Sequence, residues 1–213
     1  MIKNFKIQNT KLKIDTNNFF KNKFKVESFP RSYDVEFINN SKKFNKFLNS
    51  SECVILIDTN IYKKYYSKKI IKNKKLIKFD AKEKNKNLNT TNQILDFFVK
   101  HNVSKSNKII AIGGGIIQDL AGYASLVYKR GLHWEYVPTT FLGMTDSCVG
   151  GKVGINYGEA KNLAGLFSAP RRVLININFL ESLPKSDLLS GLGEALRLHL
   201  TGGMYFVDKF KQN

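Results

Sequence analysis

Two short runs constrain this chain most. CVILIDTN (53–60) and KIIAIGGG (108–115) each hold a nearly unbroken apolar stretch that ends in polar or glycine residues. An apolar run of this length without alternation suits a strand buried on both faces, as in parallel sheets. A segment of helical period follows each: IYKKYYSKK after the first, and IIQDLAGYASLVYKRG (116–131), stopping at Gly131, after the second. KKLIKFD (74–80), LHWEYVPTT (132–140) and RRVLININ (171–178) read as further strands, and SYDVEFIN (32–39) alternates as an edge strand does. NTTNQILDFFVKHNVS (89–104) is expected to be a helix capped by Thr90 or Thr91, with Ile94, Leu95, Phe98 and Val99 at helical spacing. Strand and helix in alternation predict an α/β fold with a mostly parallel sheet. After Pro184 the pattern changes. SDLLSGLGEALRLHLT (186–201) reads as one amphipathic helix with an apolar stripe of Leu188, Leu189, Leu192, Leu196 and Leu200, and MYFVDKFKQN starts another. Residues 1–183 are expected to form the α/β domain, with 1–52 poorly defined, and 184–213 the start of an all-helical one.

The chain has 213 residues, 42% of them hydrophobic, which is enough for a core and excludes a wholly disordered protein. Its formal net charge is +18, and the charge is lopsided. Residues 1–108 carry 24 Lys and one Arg against nine acids, whereas 109–213 carry six Lys and four Arg against eight. Aromatics do not interleave with arginines and no nucleic-acid motif is present, so the basic half reads as a solvated surface and no nucleic-acid partner is expected. No run approaches the roughly 18 apolar residues of a membrane span. No secretory signal is visible, and the two cysteines, Cys53 and Cys148, are far apart, so no membrane association and a reducing cytoplasm are expected.

Chemistry concentrates in two places. AIGGGIIQD sets three glycines between a strand and a helix, where backbone N–H groups and the positive helix end can meet a phosphate. Asp119 lies one turn into that helix, within reach of a ribose or a backbone donor. Asp58 and Asn60 close the other apolar strand, and ligands in open α/β sheets bind at such carboxyl ends. The second place is VPTTFLGMTDSCVGGKVGINYGEAKNLAG (137–165), a loop-like stretch with Thr139, Thr140, Asp146, Lys152, Asn156, Lys161 and Asn162 among small residues. Lys152, beside Gly150 and Gly151, suits a phosphate.

GGGIIQDLAG, YKRG, VPTT, TDSCVGGKVGIN, KNLAG, FLESLP and SGLGEALR together resemble, in order and spacing, the 3-dehydroquinate synthase family of NAD- and zinc-dependent sugar phosphate cyclases. The resemblance covers residues 53–200 and is dense from 108 onward. It implies a Rossmann-like NAD domain followed by a helical domain that carries most of the substrate and metal site. It places Asp58 and Asn60 at the adenosine ribose, and Glu83 and Lys86 (from EKNK) on the ribose and adenine loop. Gly114, Gly115, Ile116 and Asp119 fall on the pyrophosphate turn, with Thr139, Thr140 and Lys161 as further cofactor contacts and Phe179 to Ser182 at the nicotinamide. Asp146, Lys152 and Asn162 become substrate positions. Arg130 would reach the substrate phosphate of a neighbouring subunit in a homodimer, and Glu194 would be the first ligand of zinc or another divalent metal. The implied activity is a lyase reaction of the shikimate pathway, on a phosphorylated sugar-acid substrate.

Two departures stand out. The family's two metal-binding histidines come well after the glutamate, and this chain has no counterpart before Asn213, which reads as a shortened member. His199, five residues after Glu194, is badly placed on a helix to replace them. Arg197 also stands where the family usually has Lys, as does Gln118 for a common Gly, which leaves a related cyclase as the alternative enzyme. A metal-dependent alcohol dehydrogenase of similar fold is disfavoured by TDSCVGGKVGIN. A non-catalytic NAD-binding fragment is the reading from another class.

Overall fold

A computed structural model of the chain describes residues 2–7, 10–15, 23–38, 41–66, 71–72 and 75–211. The end of the IYKKYYSKK helix expectation, at 67–69, Asn39 and Lys74 of two strand expectations, and the last two residues lie outside them. The strands are β1 (Ile2–Ile7), β2 (Thr10–Asp15), β3 (Lys23–Val26), β4 (Tyr33–Phe37), β5 (Cys53–Asp58) and β6 (Leu76–Phe79). They continue with β7 (Lys108–Gly113), β8 (His133–Pro138), β9 (Lys152–Tyr157), β10 (Ala160–Phe167) and β11 (Arg172–Ile175). The helices are α1 (Ser41–Leu48), α2 (Thr59–Tyr65), α3 (Leu88–Lys100), α4 (Gly115–Val127), α5 (Lys185–Gly202) and α6 (Met204–Lys211). Strands β1 and β2 pair with each other, as do β9 and β10, and the other seven form one sheet in the order β3-β4-β11-β8-β7-β5-β6. Only β3 runs antiparallel within it.

The apolar runs behave as their composition requires. In β5, Val54 and Leu56 point into one core layer and Cys53, Ile55 and Ile57 into the other, all essentially without solvent exposure. In β7, Ile109 and Ala111 share the first layer, with Ile94 and Phe98 of α3 and Leu120 and Ala124 of α4. Ile110 and Ile112 share the second, with Phe44 and Leu48 of α1 and Ile61 of α2. A sheet covered on both faces needs apolar residues at successive positions, which is why these strands do not alternate. From β5 the chain passes through α2 to β6 on one side, then returns past β5 to β7 and continues through α4 to β8 on the other. The strand order therefore reverses between β5 and β7, and such a reversal opens a crevice at the carboxyl ends of the two strands.

Three expectations need correction. Tyr33–Phe37 is a strand but not the edge, because β3 pairs along its outer side. Neither Thr90 nor Thr91 caps α3: Asn87 does, its Oδ1 accepting from the Thr90 amide at 3.0 Å, and both threonines are buried in the first turn. The stretch 137–165 is not a loop. It holds the end of β8, a π-helical turn at Gly143–Ser147 and the β9–β10 hairpin.

That hairpin packs on α4 through Gly122, where a Cβ would lie 2.6 Å from Val153 Cγ1 and 3.2 Å from Trp134 Cζ2. Gly122→Val should lower stability by about 1–3 kcal/mol through overpacking, read as a lower urea midpoint at constant slope. An unchanged midpoint would show that α4 and the hairpin do not meet this closely.

Candidate functional site

A cleft of about 930 Å³ opens at the β5/β7 reversal. Its size is that of a pocket for a small organic ligand. Gly114 precedes α4 and brings no side chain to cap it, so the first amides of the helix have no acceptor within it. Thr140 backs this turn: a Cβ at Gly114 would stand 3.0 Å from its Cγ2. The Thr140 hydroxyl accepts from the Gly143 amide at 3.0 Å and so starts the π-turn. Asp58, at the end of β5, caps α2 by accepting from the Asn60 amide at 2.7 Å. Burial raises its carboxyl above the usual range, against the pull of that amide.

One polar network supplies another part of the cleft lining. The Lys86 ammonium, nearly buried, donates to Asp119 at 3.1 Å and to the side-chain carbonyl of Asn162. The other Asp119 oxygen accepts from the Gly154 amide at 3.1 Å. Asn156 donates to Glu83 Oε1 at 2.9 Å, and its own carbonyl accepts from the Asn162 amide at 2.9 Å. Asn162 holds a left-handed backbone, φ 56°, at an irregularity in the hairpin ladder. Burial pushes the Asp119 carboxyl up, and the Lys86 cation opposes it.

At the far end stand Asp146, Lys152, Glu194 and Arg197. Burial first and Glu194 second raise the Asp146 carboxyl, while Arg197 and Lys152 oppose the shift. Arg197 grips Glu194 one helical turn away, with Nε 3.0 Å from each carboxylate oxygen, and holds its carboxyl below the usual range. Helix α5 reaches this end because Gly191 has no side chain: a Cβ there would lie 2.7 Å from Phe141 Cβ and Leu142 N. The leucine stripe expected to bury α5 is largely exposed, and only Gly191 and Ala195 of the helix are buried.

Of the residues singled out in the sequence, Asp58, Asn60, Glu83, Lys86, Gly114, Gly115, Ile116 and Asp119 line this one cleft. Thr140, Asp146, Lys152 and Asn162 line it too. Thr139 is buried beneath it and Phe179 lies in the core, edge-on to Tyr65. Lys161, Ser182, Arg130, Glu194 and Arg197 are not among the lining residues. Arg130 sits past the end of α4 with φ 59°, and Ser182 donates to the Phe179 carbonyl at 3.2 Å. Gly154, Gly165 and Phe167 also line the cleft and were not singled out. Their signal was the hairpin itself, which faces its Gly154–Gly165 pair toward the ligand space.

Comparison with known proteins decides the family. Residues 76–190 match the sequence model described as 3-dehydroquinate synthase N-terminal. This chain belongs to the 3-dehydroquinate synthase family. The 3-dehydroquinate synthase of Pelagibacter ubique is 40% identical over 200 residues, covering 88% of this chain and 54% of the relative. That of Aliivibrio fischeri is 34% identical over 193 residues, 87% of this chain and 53% of the relative. The chain thus spans about half the length of the curated relatives it matches. Among solved structures, the 2-epi-5-epi-valiolone synthase of Streptomyces hygroscopicus, with NAD+ and Zn2+ bound, superposes with a TM-score of 0.72 at 27% identity. It aligns with 79% of this chain, which covers 49% of it. The fold is therefore the family's Rossmann-like sheet, followed here by helices α5 and α6.

The residues described do not fit zinc. A catalytic zinc site takes three protein ligands, commonly with nitrogen or sulfur among them. No group of three His, Cys, Asp or Glu side chains that could hold a metal occurs among the described residues. Glu194 is taken by Arg197, and His199 turns its Nδ1 back to the Ala195 carbonyl at 2.6 Å. Equilibrium dialysis of the 213-residue chain against Zn2+ should show no stoichiometric binding that survives desalting. Retained zinc that Glu194→Gln releases would reveal ligands in this chain.

The Lys86–Asp119 pair yields a signed pH dependence. A carboxyl raised on folding binds its proton more tightly in the folded state, so its ionisation costs stability as pH rises through the folded value. Removing Lys86 raises it further. Lys86→Met should cost about 2–3 kcal/mol at pH 8, less than a fully buried pair because Asp119 is partly exposed, and distinctly less near pH 4. Urea melts at the two pH values measure this, and equal deficits would refute the pairing.

Proposed function

We propose that this chain carries the dinucleotide- and phosphate-binding half of a 3-dehydroquinate synthase. That enzyme is a phosphate-eliminating lyase converting a seven-carbon keto sugar-acid phosphate to 3-dehydroquinate. The observation that carries this is the convergence of the uncapped glycine turn, Asp58, and the Lys86–Asp119–Asn162 network on one cleft at the strand-order reversal. NAD+ fits the donor set of the turn and supplies a reversible hydride acceptor next to the substrate. The Gly115 and Ile116 amides lie where a pyrophosphate would meet the helix end, with no Cβ at Gly114 to block it. Asp58, anchored by the amides at the start of α2, offers the carboxylate acceptor capacity left over to ribose hydroxyls. Asn162 gives its carbonyl to Lys86, which leaves its amide hydrogens for a substrate oxygen.

Lys152 is exposed at the start of β9 and offers an ammonium to the substrate phosphate. Asp146 faces the same end with Arg197 and Glu194 nearby. Arg130, off the lining of this chain's own cleft, serves the site of a second copy in a homodimer. Cys53 and Cys148 are both buried, burial pushes the Cys148 thiol up to about 12, and a cytoplasmic setting belongs to this reading. A related sugar phosphate cyclase is the second reading, favoured by the valiolone synthase superposition. Identity ranks it below the dehydroquinate reading.

Titration calorimetry of the chain with NAD+ should show one site. Gly114→Val should weaken it at least about tenfold, equivalent to 1.4 kcal/mol, with some loss of melting temperature because its Cβ would press on Thr140 Cγ2 at 3.0 Å. Lys152→Ala should leave it within about twofold, because the lysine faces phosphate rather than cofactor. No binding by folded wild-type chain would overturn the proposal.

A further inference from the structure

We propose that Asn156 is a positioning residue that couples the cofactor side of the cleft to its substrate side. The inference rests on the proposed function. Asn156 is absent from the cleft lining. Its bonds nevertheless run to three residues that do line it. The side-chain amide donates to Glu83, to Oε1 at 2.9 Å and to the backbone carbonyl at 3.3 Å. The side-chain carbonyl accepts from the Asn162 amide at 2.9 Å. The backbone amide donates to the Lys86 carbonyl at 2.7 Å, and an isolated parallel bridge joins Asn156 to Asn87.

One residue at the end of β9 therefore ties the 83–87 segment to the return strand of the hairpin. Glu83 and Lys86 come from a short 3₁₀ turn that makes no ladder with the main sheet. Asn162 sits at the break in the β9–β10 register, in the left-handed region, where the ladder does not hold it. Both segments lack sheet hydrogen bonds where their functional side chains emerge, and Asn156 supplies the bonds instead. Lys86 then closes the circuit by bonding Asn162 directly. Only a side chain with one donor end and one acceptor end of this length serves both partners. Aspartate keeps the acceptor for the Asn162 amide but sets a second carboxylate against Glu83.

The test uses the whole chain and two variants, with NAD+ as the probe. Asn156→Ala should weaken NAD+ at least about tenfold, the order of one charge-assisted hydrogen bond. It should also speed amide exchange at Asn162 by a similar factor, followed by NMR. Asn156→Asp should bind as weakly as the alanine variant at pH 7.5. Relative to wild type at the same pH, it should recover near pH 5, where a protonated carboxyl can again donate to Glu83. Such recovery is a response that a general loss of packing would not give. The same protein read at two pH values also keeps the test open if the alanine variant folds poorly. Unchanged NAD+ affinity in Asn156→Ala, despite faster exchange at Asn162, would overturn the coupling. So would an Asn156→Asp deficit that pH does not move. A wild-type chain that binds no NAD+ would overturn the proposed function itself, and would be recognised because the Asn162 exchange difference would persist.

Discussion

The site depends on how closely the β9–β10 hairpin lies on α4. At Gly122 there is no room for a methyl group between the helix and Val153. That approach lets Val153 and Ile155 join the core on one face of β9, while the residue between them, Gly154, places its amide 3.1 Å from Asp119. The helix that starts at the glycine turn thus also carries the carboxylate that holds Lys86 and the hairpin. A wider separation would cost buried apolar area and would also strand the Asp119 carboxylate.

The charges of the cleft are arranged in partnership rather than isolation. Lys86 is a buried cation that would be costly alone, and it stands between a carboxylate and an amide carbonyl. Burial still prevails at Asp119, whose carboxyl stays above the usual range. At the other end, Asp146 feels Glu194, Arg197 and Lys152 together, so changing any one of these shifts the balance for the rest. Such clusters of perturbed carboxyls in a cleft are common at functional sites. The Arg197–Glu194 pair belongs to this end and explains why Glu194 presents no free carboxylate.

Helix α5 shows what the fold leaves open. It meets the π-turn through Gly191, yet Leu189, Leu192, Leu196 and Leu200 remain exposed. Apolar stripes of this kind are scarce on the surfaces of monomeric soluble proteins. The chain spans about half the length of the family relatives it matches.

The sequence by itself determined the α/β class, because VILI and IIAI cannot be satisfied by a sheet with one wet face. It also determined the glycine turn and the positions of Asp58 and Asp119, since each follows from local strand-to-helix chemistry. The cap of α3 was misread because Asn87, Thr90 and Thr91 are all good capping residues, and only backbone geometry chose Asn87. The stretch 137–165 looked like a loop because its glycines mask the hairpin: Gly154 faces Gly165 across it, and the alternation that places Val153 and Ile155 inward is too short to stand out among them. Tertiary structure alone brought Lys86, Asn156 and Asn162 together. Their bonds span as many as 76 positions and join a 3₁₀ turn to a register break, two features with no periodic signature. Periodicity reports which face of an element is buried, whereas a polar network between irregular segments is set by how whole elements dock.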